Sequence, residues 1–215
     1  MTTDQRDSLL EAGLTHVAFD GWSAEAFRRG AEEVGLDPAL VGEVLPTDAP
    51  ALVAAFSDWA DRRMLAALAE EDLSGLGVTA KVARAVRLRF EAIEPYQEAV
   101  RRSLSVLSRP GGAISGMTLL HRTSDAVWNA LGDSSTDHNW YTKRMLLGGV
   151  ISATTLYWLD DSSEDKERTW SFLDRRLQNV VKIGGRLGKF AARALALPDR
   201  VVRRMQARRE WRGAR

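Results

Sequence analysis

Residues 23–45 read SAEAFRRGAEEVGLDPALVGEVL, and this stretch decides the fold. Ser23 carries the side-chain oxygen that caps a helix start, and Gly35 has the backbone freedom that ends one, so Ala24 to Val34 is expected as a helix. Asp37-Pro38 then opens a short helix through Leu45, since proline suits the first helical turn. Two short helices joined by a tight turn make a helix-turn-helix unit. Upstream, Leu9, Leu10 and Leu14 mark a first helix that starts at Asp4 and is expected to stop at Gly13. Downstream, Pro46 to Pro50 is a break before a long amphipathic helix, Ala51 to Glu70.

The same periodicity runs to the other end. Apolar residues recur at three- and four-residue spacing, and the period-two alternation of strands is nearly absent. Helices are expected over 79–93, 96–107, 114–131, 140–159 and 166–181, with Arg109-Pro110-Gly111-Gly112 as a loop. The expected fold class is all-α, with about nine to ten helices. We divide the chain into a helix-turn-helix segment (1–50), a helical core (51–181) and a basic tail (182–215). A helix-turn-helix followed by a long fourth helix is the layout that opens a TetR-type regulator.

That segment lacks the chemistry of DNA reading. Base edges and phosphates are touched by Arg, Lys, Asn or Gln. Pro38 to Leu45 offers none of these and presents the carboxylate Glu43 instead, so no sequence-specific DNA binding is expected.

The chain has no cysteine, which excludes disulfides, thiolate metal sites and thiol nucleophiles. Its three histidines, His16, His121 and His138, are far apart and not paired at metal-ligand spacing, so no metal site is expected. Neither a P-loop nor a nucleophile elbow occurs, and Asp160-Asp161, just before a helix, read as capping carboxylates. The expectation is a protein that is not an enzyme and carries no cofactor. The opening residues, polar and acidic, lack the pattern of a signal or transit peptide, which predicts a cytoplasmic location.

The net charge of +1 conceals an asymmetry. Lys182 to Arg215 holds eleven Lys/Arg against Asp199 and Glu210, a local charge of +9 that leaves −8 elsewhere. A basic tail of this kind seeks an anionic partner, nucleic acid or membrane. Within it, Lys182, Arg186, Lys189 and Arg193 fall in an arc of about 60° at 100° per residue. Val180, Ile183, Leu187 and Phe190 occupy the neighbouring arc. An apolar stripe edged by cations is the pattern of a helix lying in a membrane interface.

Two further features concern binding. The helices after residue 114 are too apolar for one packed face, and an elongated cavity is expected between them, lined by Met117, Leu120, Trp128, Leu131, Met145, Leu146, Val150 and Trp158. Trp140-Tyr141 opens a helix after a polar stretch. Rings about 100° apart on a helix cannot both be buried in one core. Beside Asp137, Asn139 and Arg144 they fit either a partner surface or the core, and the residues alone leave both open.

The strings GDSSTDHNWYTKR (132–144), DDSS (160–163) and TWSFLDRR (169–176) resemble the lipid-binding accessory family of ubiquinone biosynthesis, TetR-fold partners of the demethoxyubiquinone hydroxylase. The resemblance covers the C-terminal half strongly and the first eighty residues only in helical layout. It implies a TetR-like homodimer whose helices enclose a pocket for isoprenoid lipid or quinone intermediates. It implies a hydroxylase-docking patch at Asp137, Asn139, Trp140, Tyr141 and Arg144. It also implies a membrane-contacting helix that includes Lys182, Ile183, Arg186, Leu187, Lys189, Phe190 and Arg193, and a peripheral place at the inner face of a bacterial membrane. Two functions follow: an accessory protein that binds and presents a lipid, or a ligand-responsive TetR-class repressor. The bare recognition segment and the basic charge at the opposite terminus favour the first.

Overall fold

Capping side chains set the starts of the helices headed by Thr2, Ser23 and Asp48. Thr2 and Gln5 close a reciprocal capping box at the head of α1 (Thr3–Asp20). Ser23 accepts from Ala26 N to open α2 (Ala24–Glu33), and Asp48 accepts from Ala51 N to open α4 (Ala49–Ala69). Between α2 and α4 stand a 3₁₀ turn, Pro38–Leu40, and the four-residue α3 (Val41–Val44). The computed structural model describes residues 2–133 and 138–180. Its remaining helices are α5 (Val78–Ile93), α6 (Gln97–Leu107), α7 (Gly112–Ala130) and α8 (His138–Asp160). A further helical run, α9, covers 167–180. No strand occurs among the described residues. The amphipathic helix expected beyond residue 180 lies outside them, as do its Lys182, Ile183, Arg186, Leu187, Lys189, Phe190 and Arg193.

Gly13 does not stop α1, which runs on to Asp20. It is instead where α2 crosses. A Cβ on Gly30 would come within 2.7 Å of Gly13 Cα, and one on Gly13 within 2.7 Å of the Phe27 ring. The two helices touch backbone to backbone because neither carries a side chain at the crossing. A glycine that reads as a terminator is here a packing surface.

Residues 1–177 form one compact unit. Trp22 ties the first helices to the rest: its ring lies 6.2 Å from Phe27 and 5.6 Å from Phe56, and its indole N–H donates to the Ala99 carbonyl at 3.1 Å. Farther along, Phe90 meets Trp158 edge-on at 5.4 Å, and both are fully buried. Helices α4 to α8 pack around the volume in which the candidate site lies.

The corner from α8 into α9 is held by one carboxylate. Asp161 accepts from Thr169 Oγ1 at 2.6 Å and Thr169 N at 2.9 Å, and from Ser163 Oγ at 2.7 Å and Ser163 N at 2.9 Å. Burial alone would raise its pKa, but these donors outweigh burial and hold the carboxyl far below the usual carboxylate range.

Two expectations follow. In an exposed helix Gly→Ala gains about 1 kcal/mol, but at Gly30 the added methyl meets the Gly13 backbone, and overpacking costs about 1–3 kcal/mol. G30A should therefore lower Tm by roughly 5 °C in a thermal melt, at about 2–4 °C per kcal/mol for a domain of this size; an unchanged or raised Tm would refute the crossing. The folded pKa of Asp161 lies below its unfolded value, so its stabilisation is complete above about pH 4 and fades as the pH falls. D161A should melt below wild type at pH 7, and the two should converge in acid; a gap that stays constant with pH would refute the assignment.

Candidate functional site

The elements converge on a cavity of about 310 Å³. Its floor is built by α4 and α5: Val53, Phe56 and Ser57 from the first, Arg89 and Ile93 from the second. Val100 and Leu107 of α6 form one side, and Leu119, Leu120 and Ile151 of α7 and α8 close the other. The rim carries Met117, 72% exposed, and Leu156, 59% exposed. The wall is mainly apolar, which suits a hydrocarbon body.

A polar cluster interrupts the floor. Arg89 donates through Nε to Asp61 Oδ1 at 2.7 Å and through Nη2 to Ser57 Oγ at 3.0 Å. Thr123 Oγ1 lies 3.0 and 2.9 Å from the two oxygens of Asp61. Arg89, Ser57 and Thr123 all line the cavity. Sequence reasoning missed all four residues. The signal was present: Ser57 and Asp61 stand four apart on the apolar face of α4, and Arg89 interrupts the stripe Val82, Val86, Phe90, Ile93 of α5.

Of the eight residues expected to line a cavity, Met117 and Leu120 do so. The other six lie elsewhere. Trp158 and Val150 are core, Trp158 locked against Phe90. Trp128 packs under the Lys143 ammonium, 5.1 Å from its ring centre, and Leu131 caps the end of α7. Met145 is 75% exposed and Leu146 half-buried, neither of them facing the cavity. The cavity also reaches beyond the helices after residue 114, because α4, α5 and α6 supply half of its wall.

The aromatic pair at the head of α8 divides its roles. Tyr141 is 66% exposed, while Trp140 is half-buried between Tyr141, 4.7 Å away, and His121, 5.6 Å away. Asp137 lies outside the described residues. Arg144, expected on the same surface, is instead 1% exposed. Its Nε donates to Asp125 Oδ1 at 2.6 Å, and Nη2 donates to Asn129 Oδ1 at 3.1 Å. Nη1 reaches the Trp140 carbonyl at 3.3 Å and Asp133 at 3.4 Å, and the guanidinium lies 4.0 Å from the Trp140 ring centre. Arg144 is a clamp under the aromatics. Its neighbours in sequence suggested a surface, but the helical turn points it toward α7.

Residues 113–184 match the family model COQ9. Over 183 residues the chain is 36% identical to the "Ubiquinone biosynthesis protein COQ9, mitochondrial" of Rattus norvegicus, covering 82% of this chain and 58% of that protein. The Homo sapiens protein of the same name is also 36% identical, with 57% of its length covered. The Drosophila melanogaster counterpart is 30% identical over 182 residues, 83% of this chain and 56% of that protein. The chain therefore spans less than two thirds of the curated relatives it matches. Among solved structures, a TetR transcriptional regulator from Nitrosomonas europaea ATCC 19718 superposes with a TM-score of 0.65. At 18% identity, over 83% of this chain and 98% of that one, the likeness is one of fold. The architecture is TetR-like.

The clamp can be tested through stability. Removing one partner of a buried ion pair leaves the others uncompensated and costs about 3–5 kcal/mol. R144A should lower Tm by roughly 10 °C and move Trp140 fluorescence toward that of a solvated indole. A melt within 2 °C of wild type would return Arg144 to the surface role.

Proposed function

The chain belongs to the COQ9 family over the region it shares with these relatives, and from that premise we propose that it is a lipid-binding accessory protein of ubiquinone biosynthesis. In this reading it holds an isoprenoid or quinone intermediate and presents it to a hydroxylase at a membrane surface, with no bond chemistry of its own. The observation that carries the reading is the cavity, a mainly apolar volume of about 310 Å³ whose rim opens through exposed Met117 and Leu156.

Two further features support it. Tyr141, exposed and braced by Trp140 and Arg144, is the large aromatic on a rigid base that anchors protein interfaces. It would meet the hydroxylase. The basic residues from Lys182 to Arg193 would meet anionic phospholipid, each worth about 1 kcal/mol near such a surface. Against a DNA-reading role stands the recognition segment itself. A 3₁₀ turn and a four-residue helix without a cation offer no rod to lay in a major groove.

Lipid retention is the test. Gently extracted protein should carry a stoichiometric prenyl or acyl lipid in a native mass spectrum. Gly116 lines the cavity, and a Cβ there would meet nothing closer than Leu107 at 3.7 Å, so G116L fills the space without a backbone clash. G116L should keep its Tm within about 3 °C, since surplus volume enters an unpacked site, and should lose most of the bound lipid. Lipid-free wild-type protein, or equal loading of the variant, would overturn the reading.

A further inference from the structure

The cavity is not apolar throughout, and its one charged side chain stands in a polar cluster away from the mouth. Buried Ser57 and Thr123 and the mostly covered Arg89 form one hydrogen-bonded cluster away from the mouth, where exposed Met117 and Leu156 lie; Ser103, Ser152 and Thr155 also line the cavity, Ser103 and Thr155 with their hydroxyls given to backbone carbonyls. From this arrangement we infer that the ligand enters head first, its polar head a neutral oxygen acceptor hydrogen-bonded by Arg89, its hydrocarbon tail leaving past Met117 and Leu156. This rests on the lipid-carrier reading and adds the orientation and the head-group class.

The donor inventory of Arg89 gives the first argument. A guanidinium has five N–H donors. Arg89 spends Nε on Asp61 and Nη2 on Ser57, and Nη1 makes no hydrogen bond among the described residues. The group is held at a fixed place on the cavity wall by the carboxylate behind it, with donors left over. Solvent reaches little of it, since the side chain is 12% exposed. A ligand oxygen is the acceptor that would complete its hydrogen bonds.

Charge decides what kind of oxygen. Asp61 already neutralises Arg89 at 2.7 Å, and Thr123 donates to the same carboxylate. An anionic head would bring a second negative charge beside the Asp61 carboxylate in a poorly screened site, where like charges repel strongly. A carbonyl, methoxy or phenol oxygen accepts the same hydrogen bond without that repulsion. The tail follows from the rim. Met117 of α7 and Leu156 of α8 are both largely exposed and both line the cavity, and Ile114, exposed one turn before Met117, extends the apolar surface along α7. These apolar side chains would lie along a chain too long for the cavity.

The probes are 2-decyl-1,4-benzoquinone, decylbenzene and 4-decylbenzoate, three ligands with the same tail and a neutral, an absent and an anionic head. Titrated calorimetrically into the full chain, the quinone should bind about ten-fold tighter than decylbenzene, as one hydrogen bond to a charged donor allows. It should also bind tighter than the benzoate. D61L/R89M, which removes the ion pair as a unit and leaves no orphaned charge, should bind quinone and decylbenzene equally. If that variant does not fold, the wild-type protein still decides the matter. A quinone with a diazirine at the end of its tail should label the peptides of Met117 or Leu156, not those of Phe56 or Ile93. Label on the floor peptides, equal binding of quinone and decylbenzene to wild type, or a preference for the benzoate would overturn the orientation and leave lipid carriage standing. Binding of none of the three would overturn both.

Discussion

The bond between Asp61 and Arg89 is the constraint on which the rest of the molecule turns. It joins α4 to α5, and Thr123 brings α7 to the same carboxylate. Removing two charges from water costs several kcal/mol per ion, and their attraction returns little beyond that. The pair is therefore poor as glue and effective as a spacer. Three helices that must satisfy one buried carboxylate cannot slide together, and the volume beside it stays open.

A second arginine, Arg144, is fully buried and does the opposite work. Arg89 has donors to spare and faces a cavity. Arg144 spends its donors on Asp125, Asn129, Asp133 and the Trp140 carbonyl, and lays its face against the Trp140 ring. The result is a half-buried indole that cannot tip, with the exposed phenol ring of Tyr141 edge-on against it. An aromatic that is already immobile loses little side-chain entropy when a partner covers it. The rigidity of the patch thus comes from a residue no partner would touch.

Much of this was legible in the sequence, for reasons that can be given residue by residue. Ser23 acts through its own side chain and Pro38 and Gly111 through their own backbones, and helices start where they stand. Gly13 misleads because its meaning lies in Phe27 and Gly30, which no local window contains. Met117 and Leu120 line the cavity while Val150 and Trp158 pack solid. Nothing local separates them, since an apolar side chain looks the same whether protein or empty space lies across from it. Arg144 was drawn to the surface by its neighbours, although it stands one helical turn from Trp140 and so faces α7 beneath it. The readable clue that went unread was chemical mismatch: Asp61 and Arg89 sit on stripes that are otherwise apolar. A charge in such a position must find its partner inside, and two of them in adjacent helices are each other's partners.

The fate of the first three helices follows from the same physics. On their outer side Glu43 is exposed, and the element after α2 is a 3₁₀ turn plus four helical residues. As cover they are indispensable. Val17, Trp22, Phe27 and Leu45 are buried, and Trp22 bridges to Phe56, which lines the cavity floor, and to the Ala99 carbonyl of α6. Exposing such side chains would cost about 1.5–3 kcal/mol each, so the segment persists for the apolar surface it hides. In this chain Phe19 and Leu40 stand in solvent, while the inner face backs the wall of the cavity through Trp22 and Phe56.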